Sequence, residues 1–213
     1  MLPLGEPKFR RRKADRPDEI VRAALTVFAA KGFAAARLDE IAARAGVSKG
    51  ALYLYFATKE DLFRAVVEQS LAPNLMIIQA AAANTAAFAD LARTLAAFLP
   101  QLAERAPIAA IAKMVIGEAR NFPELARVWH DQLVGPVIGI FSGAIAQAQA
   151  RGEIRPGDPR AYAVSLASGL LLGLVFNETF APVGAEPFDI PALARQHVET
   201  VLAGMLTDPG ARP

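Results

Sequence analysis

Residues 38–62 of this 213-residue chain read LDEIAARAGVSKGALYLYFATKEDL, and they constrain the fold more than any other stretch. Leu38, Ile41, Ala42 and Ala45 recur at helical spacing and give a short first helix one apolar face. Gly46 ends that helix, because glycine accepts the positive φ that closes a helix end. Val47 fits the angle between two helices, and Ser48 is placed to cap the free amides of the next. On that second helix Leu52 and Phe56, four residues apart, point inward. Gly50, Tyr53 and Leu54 take the opposite side, with Lys49, Ala51 and Tyr55 on the flanks. A face of one glycine, two tyrosines and a leucine, with so little charge, is built to lie against something.

The run AGVSKGALYLYFATKEDLF closely resembles the DNA-binding signature of the tetracycline-repressor-like (TetR) family of bacterial transcription regulators. The match extends over about residues 18–67, and its specific core is the helix-turn-helix with Tyr53, Leu54, Tyr55 and Phe56. A bare helical hairpin, its aromatics packed on a neighbouring domain, is the plain alternative. It leaves the Ser-Lys-Gly start, the outward tyrosines and Lys59 together without explanation. The resemblance implies that Arg37, Ser48, Lys49, Gly50, Ala51, Tyr53, Leu54, Tyr55 and Lys59 form a DNA-binding surface. Lys49, Tyr53, Tyr55 and Lys59 are expected on phosphates and sugars, which position the protein. Ala51 and Leu54 suit thymine methyl groups, and Gly50 lets the helix approach closely. With few polar groups on this face, part of the specificity is expected from DNA shape. The family usually has a small hydroxyl residue at the start of the helix before the turn; this chain has Ala35, Ala36 and Arg37 there, which leaves that cap unassigned and offers the Arg37 charge for phosphate.

Charge agrees with this. Residues 1–60 hold 12 Lys and Arg against 7 Asp and Glu, a net of +5, while residues 61–213 hold 11 against 14, a net of −3. A basic end that coincides with the helix-turn-helix is what phosphate binding requires. Half of those 12 cations lie in residues 1–16, a proline-bearing arm without periodicity that is expected to be flexible. It suits a DNA backbone or minor groove, and equally a tail that only aids solubility.

Elsewhere the pattern is helical throughout, and alanine-rich composition with 54% hydrophobic residues supplies an ample core. An opening helix is expected over 17–31 and a fourth from Thr58, with Asp61 closing a near capping box and a kink at Pro73. Further helices are expected over about 85–103, 107–120, 123–151, 160–180 and 190–206. The fold class is therefore all-α: an N-terminal three-helix DNA-binding domain and a larger C-terminal helical ligand-binding and dimerisation domain, about nine helices in all. The expected divisions are a basic arm at 1–16, the helix-turn-helix domain at 17–68, the regulatory domain at 69–207 and a disordered tail at 208–213.

Within the larger domain the resemblance implies helices around a central cavity, where Phe98, Leu102, Met114, Trp129, Phe141, Leu172 and Phe176 are large and apolar and Glu118 is polar. Core packing explains each alone at least as well, and Arg120, His130 and Asn177 are further polar candidates to orient a ligand. Ser165, Gly169 and Gly173, with Val198 and Leu202, are assigned to subunit association, since the family dimerises through its last two helices; packing within one subunit is the alternative. Gly135, Gly139 and Gly143 form a second small-residue series.

Three uncharged stretches, 69–89, 132–150 and 161–177, approach membrane-spanning length, but two carry polar residues and a proline and the third is short of about 20 residues, so buried helices of a soluble protein are expected. The start has no apolar core of signal-peptide length, and the absence of cysteine fits a reducing cytoplasm. Only His130 and His197 offer imidazoles, with no metal-ligand spacing and no glycine-rich phosphate loop, so neither an enzyme nor a cofactor is expected. The function expected is a cytoplasmic, homodimeric, ligand-responsive repressor of a near-palindromic operator, released by a small apolar or amphipathic molecule. A DNA-binding dimer without inducer, architectural or concerned with cell division, and a helical carrier of lipid-like molecules are the competing readings.

Overall fold

A computed structural model describes residues 16–105 and 107–207, without the side chains of 70–73 and 102–105. The arm expected at 1–16, apart from Arg16, and the tail at 208–213 lie outside the described residues, as does the side chain of Leu102. Among the described residues ten α-helices follow one another: α1 (Arg16–Ala35), α2 (Leu38–Arg44), α3 (Lys49–Tyr53), α4 (Lys59–Asn84), α5 (Phe88–Arg105), α6 (Ile108–Glu118), α7 (Pro123–Trp129), α8 (Gly135–Ala150), α9 (Pro159–Phe180) and α10 (Ile190–Met205). Among the described residues the extended pairing is one isolated antiparallel bridge, Ile154 with Leu206.

The helix ends follow the sequence signals. Gly32 breaks the rod of α1 at φ 78°, and Gly46 closes α2 at φ 68°. Ser48 caps α3 through its hydroxyl, which accepts from the Ala51 amide. Thr58 and Asp61 complete a reciprocal capping box at the start of α4, a helix that runs unbroken to Asn84. Asp158 and Asp189 cap α9 and α10, each with proline in the first turn. The helix expected over 123–151 is continuous but contains a π turn at His130–Val134, where the Gly135 amide donates five residues back to the His130 carbonyl. Pro136 follows and has no amide to give, so the regular ladder could not pass through it.

Two apolar interiors result. One joins α1–α4 to α6 and α7, around Phe28, Phe33, Phe63, Ile41, Leu52, Ile111 and Leu125. The other joins α5, α8, α9 and α10, around Phe88, Leu91, Ile145, Leu166, Val198 and Leu202. Of the uncharged stretches, those in Pro123–Ala150 and Pro159–Val183 are long and apolar enough to cross a bilayer by length and composition. Only 11% and 17% of their most apolar windows are buried, so the expectation of buried helices is corrected for a single chain: much of this surface lies open.

Candidate nucleic-acid interface and its regulatory helices

The helix-turn-helix has the faces its sequence specified. Leu52 is fully buried and Phe56 packs against the first interior, which leaves Tyr53, Leu54 and Tyr55 outside. Leu54, at 84% exposure, is the most prominent apolar side chain on the surface of this end. Among the described residues nothing stands in front of Gly50, so a second surface meets backbone there. Ala51 is half-buried on the flank. The regular helix is shorter than expected: α3 ends at Tyr53, and the amides of Tyr55 and Phe56 both turn back to the Leu52 carbonyl.

Asp39 organises the cations beside this face. Lys49 Nζ lies 2.6 Å from its carboxylate, and Arg37 lies 3.7 Å away. The hydrogen bond from Lys49 holds the Asp39 carboxyl below its ordinary value, and the same bond raises Lys49. Arg37 stands at the N-cap of α2 and makes no side-chain cap bond, so Asp39 and Glu40 in the first turn answer the helix end by charge alone. No sequence pattern marks this acid as lying between two cations, although its position about two turns before Gly46 was visible.

Lys59 corrects an expectation. Its ammonium donates to the carbonyls of Phe33 at 2.7 Å, Ala34 at 3.2 Å and Ala36 at 3.1 Å, and sits 4.5 Å over the Phe33 ring. All three protons of an ammonium are thereby used, which leaves it fastening the α1–α2 corner instead of reaching phosphate. Glu118 is corrected likewise. Its two oxygens accept from the amides of Phe33 at 2.8 Å and Ala34 at 2.7 Å, so it grips the same corner from α6 and does not face a ligand cavity.

The other ligand candidates are not brought together. Met114 and Trp129 are buried in the first interior, while Phe141 packs on the second and Phe98 is half-buried on α5. Leu172 is 69% exposed on the outer side of α9, which rules out an inward role within one chain. Phe176 stacks with Phe180 and Phe188 at 5.1 and 4.9 Å. Asn177 does not orient a ligand but pairs with both backbone groups of Phe188, at 2.8 Å each. His130 is exposed beside Asp131, and Arg120 is exposed. A groove of about 380 Å³ does open between α6 and α9, lined by Pro107, Ile108, Leu174 and Asn177. The buried hydroxyls of Ser142 and Thr179 meet no partner among the described residues, a feature that no sequence pattern marks.

The stripe assigned to subunit association is also corrected. Gly169 lies under the His197 ring and Gly173 under Leu193, both within the chain. His197 Nε2 hydrogen-bonds the carbonyls of Ser165 and Leu166 at 3.0 and 3.2 Å. Val198 and Leu202 are buried in the second interior. The small residues thus let α10 approach α9, and Ser165 stays at the exposed edge with its hydroxyl bonded to the Ala161 carbonyl. On the other side Val164, Ser168, Leu171 and Leu172 remain exposed at helical spacing, a face that sequence reasoning passed over. Of the other glycine series, Gly139 and Gly143 face open space.

Comparison with known proteins decides the class. Residues 20–66 match the model described as bacterial regulatory proteins, tetR family, and residues 85–201 match the tetracyclin repressor-like C-terminal domain. The chain belongs to the TetR family. It is a transcription regulator with a helix-turn-helix DNA-binding unit. An uncharacterized HTH-type transcriptional regulator, YfiR of Bacillus subtilis, is 26% identical over 202 residues, covering 92% of this chain and 97% of that one. The fatty acid metabolism regulator protein of the same organism is 25% identical over 198 residues, covering 91% and 98%. The solved structure of FadR from Bacillus subtilis in complex with stearoyl-CoA shares the fold at TM-score 0.73, with 19% identity and coverage of 88% and 98%.

Proposed function

We propose that this regulator is a cytoplasmic homodimeric repressor that a long-chain acyl-CoA releases from its operator. Residues 17–68 read the DNA, and residues 69–207 bind the effector and pair the subunits. Two copies of α3 enter successive major grooves about 34–36 Å apart on a near-palindromic site. Tyr53, Tyr55 and Lys49 contact the backbone, Leu54 and Ala51 contact base methyls, and Gly50 permits close approach. Lys49 and Arg37 exchange Asp39 for phosphate as the complex forms. Pairing uses the open face of Val164, Ser168, Leu171 and Leu172, since an apolar face of this kind marks an association site.

The observation that carries the effector reading is the amount of apolar helix left uncovered in the second half of the chain. Subunit pairing covers one side of α9, and the groove between α6 and α9 adds space for an alkyl chain. Similarity over nearly the full length to a fatty acid metabolism regulator supports the same class, as does the fold shared with a stearoyl-CoA complex. An acyl thioester fits the expectation of an amphipathic molecule.

An operator duplex selected by the protein from a random library gives the test. Stearoyl-CoA or lauroyl-CoA should raise the Kd for that duplex and the melting temperature of the free protein, whereas coenzyme A alone should do neither. No response to either thioester would overturn the effector assignment. Tyr53→Ala should weaken operator binding by about 1–2 kcal/mol, five- to thirty-fold in Kd. Leu172→Asp should shift sedimentation from dimer to monomer, and an unchanged dimer would move the pairing face elsewhere.

A further inference from the structure

Lys59 and Glu118 meet one short segment from opposite sides. Residues 33–36, between the Gly32 break and the start of α2, turn three of their carbonyls to the Lys59 ammonium and two of their amides to the Glu118 carboxylate. Lys59 opens α4, so its grip is local to the DNA-reading unit. Glu118 lies 84 and 85 residues along the chain from its partners, at the last position of α6. A carboxylate that accepts two successive backbone amides makes a pair of charge-assisted bonds, stronger and more directional than an apolar contact. Gly32 shows how closely the two elements meet: a Cβ there would lie 2.5 Å from Glu118 Oε1, at a backbone φ of +78° that side chains rarely adopt. Phe122, four residues beyond Glu118, stacks edge-on against Phe33 at 5.1 Å and reinforces the joint.

The middle of α6 lies in the first interior with Ile111, Met114 and Val115, and its start faces the other way. Its start lines the groove shared with Leu174 and Asn177 of α9, and Lys113 pairs with Glu178 at 3.6 Å. One helix of 11 residues therefore has its first turn at a candidate effector groove and its last residue on the corner from which α2 departs. We propose that Glu118 is the positioning residue that couples the effector half to the DNA-reading unit, by making the α1–α2 corner follow α6. This deepens the proposed function and rests on its division of the chain into a reading half and an effector half; it does not depend on the effector being an acyl-CoA. If α6 shifts, the amides of Phe33 and Ala34 shift with the carboxylate, and α2 and α3 are re-aimed. By linkage, DNA bound at α3 must alter α6 by the same route.

That reciprocity gives a test without effector. Amide hydrogen exchange is measured with and without the library-selected duplex, in the full-length wild type, Glu118→Ala and Glu118→Gln. The duplex should slow exchange in α6 of the wild type; Glu118→Ala should still bind the duplex and protect α3 but lose the response in α6. Glu118→Gln, whose single amide oxygen replaces one of the two acceptors, should keep part of it, and it serves if Glu118→Ala fails to fold. Lys113→Ala, on the same helix, should respond as the wild type does. A wild-type α6 that ignores DNA, or an α6 response of equal size in the Glu118 variants, overturns the coupling. In a separate arm, stearoyl-CoA is added: where it weakens wild-type operator binding, the ratio of the two Kd values should fall toward one in Glu118→Ala, from a coupling on the order of 5- to 150-fold. Failure of the thioester on the wild type removes only the effector assignment, because the exchange arm decides the latch by itself.

Discussion

The two interiors of this molecule are built from different stock. Around the reading unit Phe28, Phe33 and Phe63 meet ring to ring at 5.5–6.0 Å, and Ile20, Ile41, Leu52 and Leu62 are completely covered. Around α5, α8, α9 and α10 one ring, Phe88, is buried, five of the thirteen buried residues are alanine, and Ile145, Ile154, Leu202 and Met205 are the best covered large side chains. Large rings locked against each other leave few alternative packings, whereas alanine faces slide with little loss of contact. The contrast separates a ring-packed head that carries the helix-turn-helix from a body packed by aliphatic and small side chains.

The largest expected effect puts that contrast at risk. Phe63→Ala should cost about 3–5 kcal/mol in denaturant unfolding, and Ile145→Ala should fall near the low end of the range of about 2–5 kcal/mol, because its neighbours can close in. Equal losses would mean that both interiors are equally stiff. Next come the two lysines. Lys59→Ala strands three carbonyls at the corner and should destabilise the protein by about 1–3 kcal/mol, with the salt dependence of operator binding unchanged. Lys49→Ala should reduce the slope of log K against log salt by about 0.9 with little change in stability. A reversal of these signatures would return Lys59 to the phosphates. Thr58→Ala removes one half of the capping box and should cost about 0.5–2 kcal/mol.

The smallest expected effect belongs to Asp39→Asn, which frees Lys49 and Arg37 and should tighten operator binding by roughly twofold at low salt and not at high salt. Its pH dependence has a definite sign. Because the Lys49 hydrogen bond lowers the Asp39 carboxyl below 3.8, the pair's contribution is whole above that value and fades as pH falls through the lowered one. Lys49 is raised above 10.5, so at the alkaline end the contribution is whole below 10.5 and is lost as pH rises through the raised value.

The reading unit was legible because its signals are local. Gly46, Ser48, Thr58 and Asp61 act on residues within three or four positions, so the chain states its turns and caps directly. The same holds for Leu52 and Phe56 inside and Leu54 outside. Contacts across the fold were not legible. Lys59 and Glu118 carry no mark that distinguishes a carbonyl clamp from a phosphate contact or an effector contact, because a charged side chain shows its partner only once distant elements meet. On α9 two stripes have equally good helical spacing, one of Ser165, Gly169 and Gly173 and one of Val164, Ser168, Leu171 and Leu172. Which stripe takes α10 depends on the position of the next helix, and the small residues won because the His197 and Leu193 side chains needed their space. The π turn was hidden for a similar reason: Gly135-Pro136 sits inside a stretch whose pattern is helical from end to end, and the form taken there depends on how α7 and α8 each meet their neighbours.

One unbroken element crosses the boundary between head and body. At about 1.5 Å of rise per residue, the 26 residues of α4 make a rod about 39 Å long, anchored at its first turn by the capping box. A rod of that length acts as a lever: a tilt of about 5° at one end carries the other through roughly 3 Å, close to the span of a single hydrogen bond. Any tilt of this helix is thereby written at its far end in proportion to its length, and that length was set by nothing more elaborate than the number of residues wound into one helix.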